Sequence, residues 1–542
     1  MNRLSIGIGG QAGEGVETLG HAIANLMAKM GKEIATNGEF YNAIKGSHNT
    51  FEISVSDEAA LSTSTHYNLV IAMDGQTLAE EARRIVTDGY LIYDPETGAP
   101  DVSAKLVAVP FLNIAQEVAG TKLAKNMVLF GCFAAMVKAP KELLASMIDE
   151  LLKNLPPEVK QRNVEAAQRG YEVASEQVHE SFMQVSVKDS AVENYLMSGN
   201  SIAALAAVRA GCTFFAAYPM TPSTSILEFL AKWSNETKMS VHHVEDELAA
   251  INMAVGASYA GARAMVATSG GGFALMTEGV GLAAMLETPI VVVEVQRPGP
   301  ATGLPTRTGQ GDLRQVLHAG QGDVPHMVLS PGTHEEAFQM VREAFEYAEA
   351  IRGPVTVLME KCLAEGMRTI SVDALNQELD FTCERQLSNG LKRAISYEHD
   401  AEGNPTEDPQ IVTDRQKSRW DKIAAIAEKL PPARLEGAEG AAVTLVCWGA
   451  TYGAAMEASK LLTAEGIATN VLHVKYFRPF QPGVLEEFKK CAHPILIEGN
   501  LTAQLGGLIT EKTGFEIKDK ILDVSGRQFT AEGLVERIKE IL

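Results

Sequence analysis

The sequence predicts three tandem α/β domains, and three observations carry that prediction. Short, continuously apolar runs such as LSIGIG, TFFAAY, PIVVVEV and VTLVCWG alternate with stretches of helical period. That alternation is the mark of buried, largely parallel strands covered by helices on both faces. The pattern also pauses and restarts, once after residue 185 and again after residue 440. Finally, 542 residues suffice for three or four domains, and a hydrophobic share of 46% can bury their cores.

The first domain is expected over residues 1–185. LSIGIG, NLVIAM and GYLIYD read as strands, VETLGHAIANLMAKMG and AKNMVLFGCFAAMVKA as helices, and the polar helix PEVKQRNVEAAQRGYEVASEQ closes the unit. The second, over residues 190–375, begins with the helix SIAALAAVRAG and the strand TFFAAY. It continues through a helix from Ser223, MSVHHV, the helix DELAAINMAVGASYAG, RAMVATS, FALMTEGVGLAAML, PIVVVEV, HEEAFQMVREAFEYAEA and GPVTVLME. Residues 376–440 are dense in charge and carry Pro405, Pro409, Pro431 and Pro432, so they read as a solvated connector, with the part around Trp420 helical and packed. The third domain, residues 441–542, holds VTLVCWG, TYGAAMEASKLLTAEG, ATNVLHV and HPILIEG.

Charge narrows the function. Lys plus Arg is 47 against 68 for Asp plus Glu, a net charge of −21. A chain this acidic is repelled by phosphate backbones and anionic lipid heads, which argues against nucleic-acid or membrane-surface binding. No apolar run is long enough to span a bilayer, and Glu14 with its neighbouring glycines interrupts any signal-peptide core, so a cytoplasmic protein is expected. The six cysteines, Cys132, Cys212, Cys362, Cys383, Cys447 and Cys491, form no CxxC pair and read mainly as buried thiols. A redox metal centre is therefore expected on another chain, and no metal is assigned to this one.

Four segments carry candidate chemistry. Gly7 to Gly15 fits the G-x-G-x-x-G/A template as Gly7, Gly9 and Ala12. It reads either as a phosphate or dinucleotide cradle or as a tight strand-to-helix turn. The ribose-binding acid of a dinucleotide site is represented only by the poorly placed Glu33, and Glu14 sets a negative charge beside any phosphate. In the second domain, Tyr218-Pro219-Met220-Thr221-Pro222 lies where a strand end enters a helix, with Ser223 or Thr224 as its cap. Glu245, Asp246 and Glu247 stand where another strand meets an uncharged helix. Helix-dipole preference accounts for two of the three, while Glu247 heads the buried stretch AAINMAVGASYAG, where a desolvated carboxyl suits proton transfer. Beyond the glycine turn Thr268–Phe273, Arg297 follows a buried strand in a loop stiffened by Pro298, Gly299, Pro300 and Pro305, a place suited to gripping a carboxylate with two parallel hydrogen bonds.

Together YPMTPST, VEDELAAINMAVGASYAGARAMVATSGGGFALM and QRPGPATGLPTRTGQGDL resemble the α subunit of 2-oxoacid:ferredoxin oxidoreductases, in the form with a γ-type domain fused in front. GQAGEGVETLG and IKGSHNTFEIS resemble the γ domain, and the last unit resembles the transketolase C-terminal domain. The resemblance implies that the second domain binds the pyrimidine half of thiamine diphosphate. Glu247 then contacts the ring nitrogen and favours the tautomer that removes the C2 proton. It places Tyr218 and Pro219 beside the cofactor, Tyr218 and Thr221 beside the substrate, with Thr221 also in a catalytic role, and Arg297 and Thr306 on the 2-oxoacid. Met220 stands for the family's usual Ile, Gly271 for Pro, Ala301 for Ser, and Lys45-Gly46-Ser47 for Arg-Gly-Gly.

The chain has no GDG motif for magnesium and diphosphate. The resemblance therefore implies half a site, completed by a β subunit that brings Mg2+ and a [4Fe-4S] cluster, in a dimer of αβ heterodimers. Ferredoxin is the implied electron partner and coenzyme A the co-substrate. Oxidative decarboxylation of 2-oxoglutarate is the first expectation, of pyruvate or a branched-chain 2-oxoacid the second. The rivals are a non-catalytic scaffold and a nicotinamide-dependent dehydrogenase resting on Gly7 to Ala12.

Overall fold

Buried apolar runs do become strands, gathered into three sheets. The computed structural model describes residues 3–40, 47–98, 100–179, 194–384 and 395–542. The chain forms two compact units, Met1–Leu196 with Gly366–Val372, and Met197–Glu365 with Asp373–Leu542.

The first unit holds an eight-stranded mixed sheet. Its order is Lys105–Ala108, Ile85–Tyr93, Tyr67–Ala72, Arg3–Gln11, His48–Ser56, Glu33–Glu39, Met367–Ser371 and Asn194–Ser198. Arg3–Gln11 runs parallel to Tyr67–Ala72 and antiparallel to His48–Ser56. GSHNTFEIS, which carries the γ-type resemblance, is largely a strand, and Lys45 and Gly46 lie outside the described residues. Met367–Ser371 falls inside the expected span 190–375 yet belongs to the first unit, where it adds an antiparallel strand beside Glu33–Glu39. Its alternating polar and apolar residues, MRTIS, are too few to announce a strand in sequence.

The second unit holds two sheets. One has seven strands, ordered Tyr476–Arg478, Met327–Leu329, Pro354–Glu360, Ile290–Gln296, Ala264–Thr268, Phe214–Ala217 and Ser240–His243. All are parallel except Tyr476–Arg478, which joins from the C-terminal segment. The other has five, ordered Leu435–Gly437, Thr469–His473, Val443–Cys447, Pro494–Glu498 and Asp519–Leu522. Ile290–Gln296 is buried at every position because helices cover both faces, which is why its sequence is apolar rather than alternating. Val292 and Val328 of the seven-stranded sheet share one core with Trp448, Leu472 and Leu496 of the five-stranded sheet. Within the connector, Pro409–Ala427 is helical, opened by Asp408, whose carboxylate accepts from the Gln410 and Ile411 amides. No described helix is long and apolar enough to cross a membrane.

Candidate active site

Carboxyl ends of parallel strands expose backbone groups that loops and helix starts must satisfy, which makes them the natural position for a site. Four such ends in the seven-stranded sheet bring candidate residues together. Phe214–Ala217 ends at Tyr218, whose side chain is exposed. In the turn that follows, the Ser223 amide and hydroxyl both donate to the Met220 carbonyl, each at 2.8 Å. Ser223 thus braces the turn and makes no side-chain cap on the helix Thr224–Thr237, contrary to the expectation for it. The turn is also held from outside. Buried Asn200 donates to the Pro222 carbonyl at 2.7 Å, and Arg297 Nη1 donates to the Thr221 carbonyl at 2.7 Å.

Ser240–His243 leads to the three acids, and the structure separates them. Glu245 is exposed, Asp246 caps the helix Glu247–Tyr259 by accepting from the Ala249 amide at 2.7 Å, and Glu247 is buried. Glu247 Oε1 has no hydrogen-bond partner. It packs against the glycine turn that follows Ala264–Thr268: a Cβ on Gly272 would stand 2.6 Å from Glu247 Oε1 and 2.1 Å from Thr268 Oγ1. Only glycine fits there. At Gly271 the nearest atoms to such a Cβ are Met220 Cε at 3.6 Å and the Ala301 carbonyl at 3.9 Å, an ordinary contact.

Arg297 follows the fourth strand end, that of Ile290–Gln296. It is half-buried, its Nε is buried without a partner, and desolvation pushes its pKa down against the pull of Asp312. Its loop folds back on itself through the Leu304 amide, which donates to the Pro298 carbonyl at 2.9 Å. Gly303, at φ 52°, would place a Cβ 1.8 Å from that same carbonyl. Thr306 rides on this folded loop, half-buried. The structure therefore joins Arg297 to Thr221 and seats Glu247 in the Thr268–Gly272 turn, with Pro219 half-buried between Tyr218 and Met220.

Sequence reasoning missed the polar residues beneath this surface. Glu294 is fully buried, and burial, then repulsion from Asp312 and Glu360, pushes its pKa well up. Burial raises Asp312 to about 6, while its amide donates to Gln296 Oε1 at 3.0 Å. An acid inside the run PIVVVEVQ was the available signal, because a charge on a strand buried on both faces needs a reason. The cysteines are free, and burial pushes the thiols of Cys132, Cys212 and Cys362 up to about 12, 12 and 11, which removes them as ready nucleophiles.

Comparison with known proteins shows the family to which these domains belong. Residues 205–429 match the family described as pyruvate flavodoxin/ferredoxin oxidoreductase, thiamine diphosphate-binding. Residues 5–173 match pyruvate ferredoxin/flavodoxin oxidoreductase, and residues 433–530 the transketolase C-terminal domain. A 2-oxoglutarate synthase subunit KorA from Archaeoglobus fulgidus is 34% identical over 308 residues, covering 56% of this chain and 88% of that one. The chain belongs to the α subunits of 2-oxoacid:ferredoxin oxidoreductases. The α subunit of 2-oxoacid:ferredoxin oxidoreductase 2 from Aeropyrum pernix is 28% identical over all of this chain and 98% of its own. Among solved structures, the 2-oxoglutarate:ferredoxin oxidoreductase from Magnetococcus marinus, with 2-oxoglutarate, coenzyme A and succinyl-CoA bound, matches at a TM-score of 0.91 and 28% identity. That match covers 100% of this chain and 99% of the other. As an oxidoreductase α subunit with a thiamine diphosphate-binding domain, the chain offers that cofactor a fitting donor set. The buried, unpartnered Glu247 oxygen suits a protonated ring nitrogen, whereas no GDG segment is present to hold magnesium and diphosphate.

Proposed function

We propose that this α subunit catalyses the reversible, coenzyme A-dependent oxidative decarboxylation of a 2-oxoacid, passing electrons to ferredoxin, with 2-oxoglutarate converted to succinyl-CoA as the preferred reaction. Pyruvate or a branched-chain 2-oxoacid is the second reading of the substrate. The observation that carries the proposal is Glu247 Oε1, buried and unpartnered beneath the Thr268–Gly272 turn. An orphaned buried carboxyl oxygen costs stability, so it is explained by a ligand that satisfies it. When bound, thiamine diphosphate supplies the carbon nucleophile and electron sink that decarboxylation needs. Glu247 holds a proton at the pyrimidine nitrogen. Tyr218 and Pro219 border the cofactor, and Thr221 stands on the substrate side in a turn fixed by Asn200 and Arg297. The remaining guanidinium donors of Arg297, with Thr306, grip the carboxylate of the 2-oxoacid.

The domain spans that accompany this reading are 1–185 for the γ-type domain on the coenzyme A side, 190–375 for the pyrimidine domain, and 441–542 for the transketolase-like domain. The missing half of the site is assigned to a β subunit carrying Mg2+ and a [4Fe-4S] cluster, in a dimer of αβ heterodimers. The helix Glu247–Tyr259 exposes Leu248 and Met253 with no charged residue between them, and the helix Gly270–Met285 exposes Leu275, with exposed Glu278 one turn on. A chain covering Leu248 and Met253 closes over the helix that begins with Glu247. That continuity supports the β subunit as the occupant.

The test is 2-oxoacid- and coenzyme A-dependent reduction of a viologen dye. The chain alone is expected to be inactive, and addition of a GDG-bearing β subunit is expected to switch it on, with 2-oxoglutarate giving the highest kcat/KM. Full activity from the chain alone would overturn the half-site assignment.

A further inference from the structure

We propose a divalent transition-metal site in the first unit, formed by His48, Glu81 and Glu80. His48 opens the strand His48–Ser56 and is 8% exposed, and neither ring nitrogen has a hydrogen-bond partner. Its Nε2 lies 3.6 Å from Glu81 Oε1, too long for a hydrogen bond. A tetrahedral zinc ion with bonds of about 2.0–2.1 Å separates two ligand atoms by roughly 3.3 Å, so a metal bridges this gap with a shift of a few tenths of an ångström. Glu80 supplies the third oxygen, since ligand atoms of His48, Glu80 and Glu81 all lie within 4.8 Å of one another. One imidazole and two carboxylates form a mixed nitrogen and oxygen set, suited to Zn2+, Co2+ or Mn2+ rather than to magnesium or a soft ion.

The surrounding charges favour a cation. Arg84 binds Glu81 Oε2 at 3.0 Å, but its charge is also met by Glu52 at 3.1 Å. That leaves Asp74, Glu80 and Glu81 facing His48 with at most one shared positive charge. This negative field draws in a divalent ion. Asp74 Oδ2 is itself buried without a partner, while its Oδ1 accepts from the Thr77 amide and hydroxyl at the start of the helix Gly75–Glu80. The position is fixed by packing, since His48 Cε1 lies 3.0 Å from where a Cβ on Gly9 would be. A metal here fastens the end of the helix Gly75–Glu80 to the start of the His48 strand, beside the strand that carries Gly9.

The experiment uses the full chain, stripped with a chelator and titrated with CoCl2 and ZnCl2. Expected are one equivalent of Co2+ per chain with visible d–d absorption, its displacement by Zn2+, and a rise in the thermal midpoint on adding Zn2+. His48→Gln and Glu81→Gln are expected to weaken Co2+ binding at least tenfold and to remove the thermal rise, with Glu80→Gln weakening it less. His21→Gln, which alters a more exposed histidine 3.8 Å from Glu17, should bind like the parent. If His48→Gln fails to fold by circular dichroism, the two glutamate variants decide the matter. The proposal falls if the parent chain binds no Co2+, or if Glu81→Gln and Glu80→Gln bind it as tightly as the parent.

Discussion

Two glycine-rich strand–turn–helix segments, one in each unit, look alike in sequence and differ in one physical respect. In the first, Gly7, Gly9 and Gly10 belong to the strand Arg3–Gln11 itself, where Gly7 makes room for Tyr67 and Gly9 for Thr77 and His48. Its acid is fully occupied: Glu14 accepts from the Gln11 amide at 3.3 Å and pairs with Lys125 at 3.0 Å. In the second, Thr268–Gly272 closes over Glu247, whose Oε1 is buried and has no partner. Glycine spacing reports only where the backbone approaches something closely. The two acids differ in this respect, since Glu14 is partnered and Glu247 Oε1 is not, while among the described residues of the first unit the buried side-chain atoms without a partner belong to His48, Asp74 and Asn126.

The sharpest way to break this contrast is to remove each carboxylate in turn. Glu247→Gln in the assembled enzyme should cut kcat by about 10²–10⁴-fold, the usual worth of a positioned proton-transfer group, while the chain folds and assembles normally. Glu14→Gln should leave kcat/KM for the 2-oxoacid within about twofold and cost at most about 1 kcal/mol of stability, as expected for a partly exposed ion pair. Measuring both variants by viologen reduction and by exchange of the cofactor's C2 proton decides the matter. Unchanged exchange in Glu247→Gln would move the role to Glu245.

Arg297 comes next. Arg297→Ala should lower kcat/KM for every 2-oxoacid by about 2–5 kcal/mol, the range for truncating a desolvated charge pair. Arg297→Lys should recover only part of this, because an ammonium cannot make a forked contact. The Arg297–Thr221 bond adds a second consequence, since the truncation also frees the Thr221 turn. Normal kcat/KM with lost assembly would make Arg297 an interface charge.

Gly272→Ala should then cost about a hundredfold in kcat, because the new methyl group meets Glu247 Oε1 at 2.6 Å and displaces the carboxyl by a fraction of an ångström or more. Gly271→Ala, one residue away with nothing nearer than 3.6 Å, should be close to neutral. Equal losses in the two variants would show that the turn's flexibility matters rather than its clearance.

Much of this was legible in the sequence, and the reasons for the rest are physical. Strand and helix alternation set out the three α/β domains, and Glu247 stood out because its acid heads an uncharged helix. What stayed hidden depends on contacts distant in the chain. Nothing local announces that Met367–Ser371 pairs with Glu33–Glu39, or that Asn200 reaches the Pro222 carbonyl. Ser223 has the chemistry of a cap yet bonds the Met220 carbonyl, its own backbone being helical rather than extended as a capping residue's usually is. The single acid in PIVVVEV was visible, but its neighbours Asp312 and Glu360 come from separate segments.

Glu360 refines the comparison with a third kind of buried carboxyl, one that is partnered yet holds a proton. It accepts from Gln310 Nε2 at 2.5 Å and from the Ala450 amide at 3.0 Å, and burial raises its pKa to about 8. Unfolded, it titrates near about 4.3, so between these values the folded chain binds the extra proton. Stability must then fall as pH rises through that window, by at most about 1.4 kcal/mol per unit, until the loss is complete above the folded pKa. Glu343 and Asp312 act with the same sign but finish earlier, near about 7 and about 6. His326 and His473, both lowered to about 4 by burial, act with the opposite sign and are spent once pH passes the unfolded value of about 6.5. Glu294, also pushed well up, and the buried thiols, whose unfolded forms titrate near about 8.5, act with the same sign between pH 7 and 8.5, so only the difference between parent and Glu360→Gln isolates Glu360. The thermal midpoint of the parent should drop across this range, and Glu360→Gln, neutral throughout, should show a flatter profile whatever its offset at pH 7. Parallel profiles would mean that Glu360 is already ionised at pH 7, held so by Gln310 and Ala450, and that hydrogen bonding outweighs burial at this position.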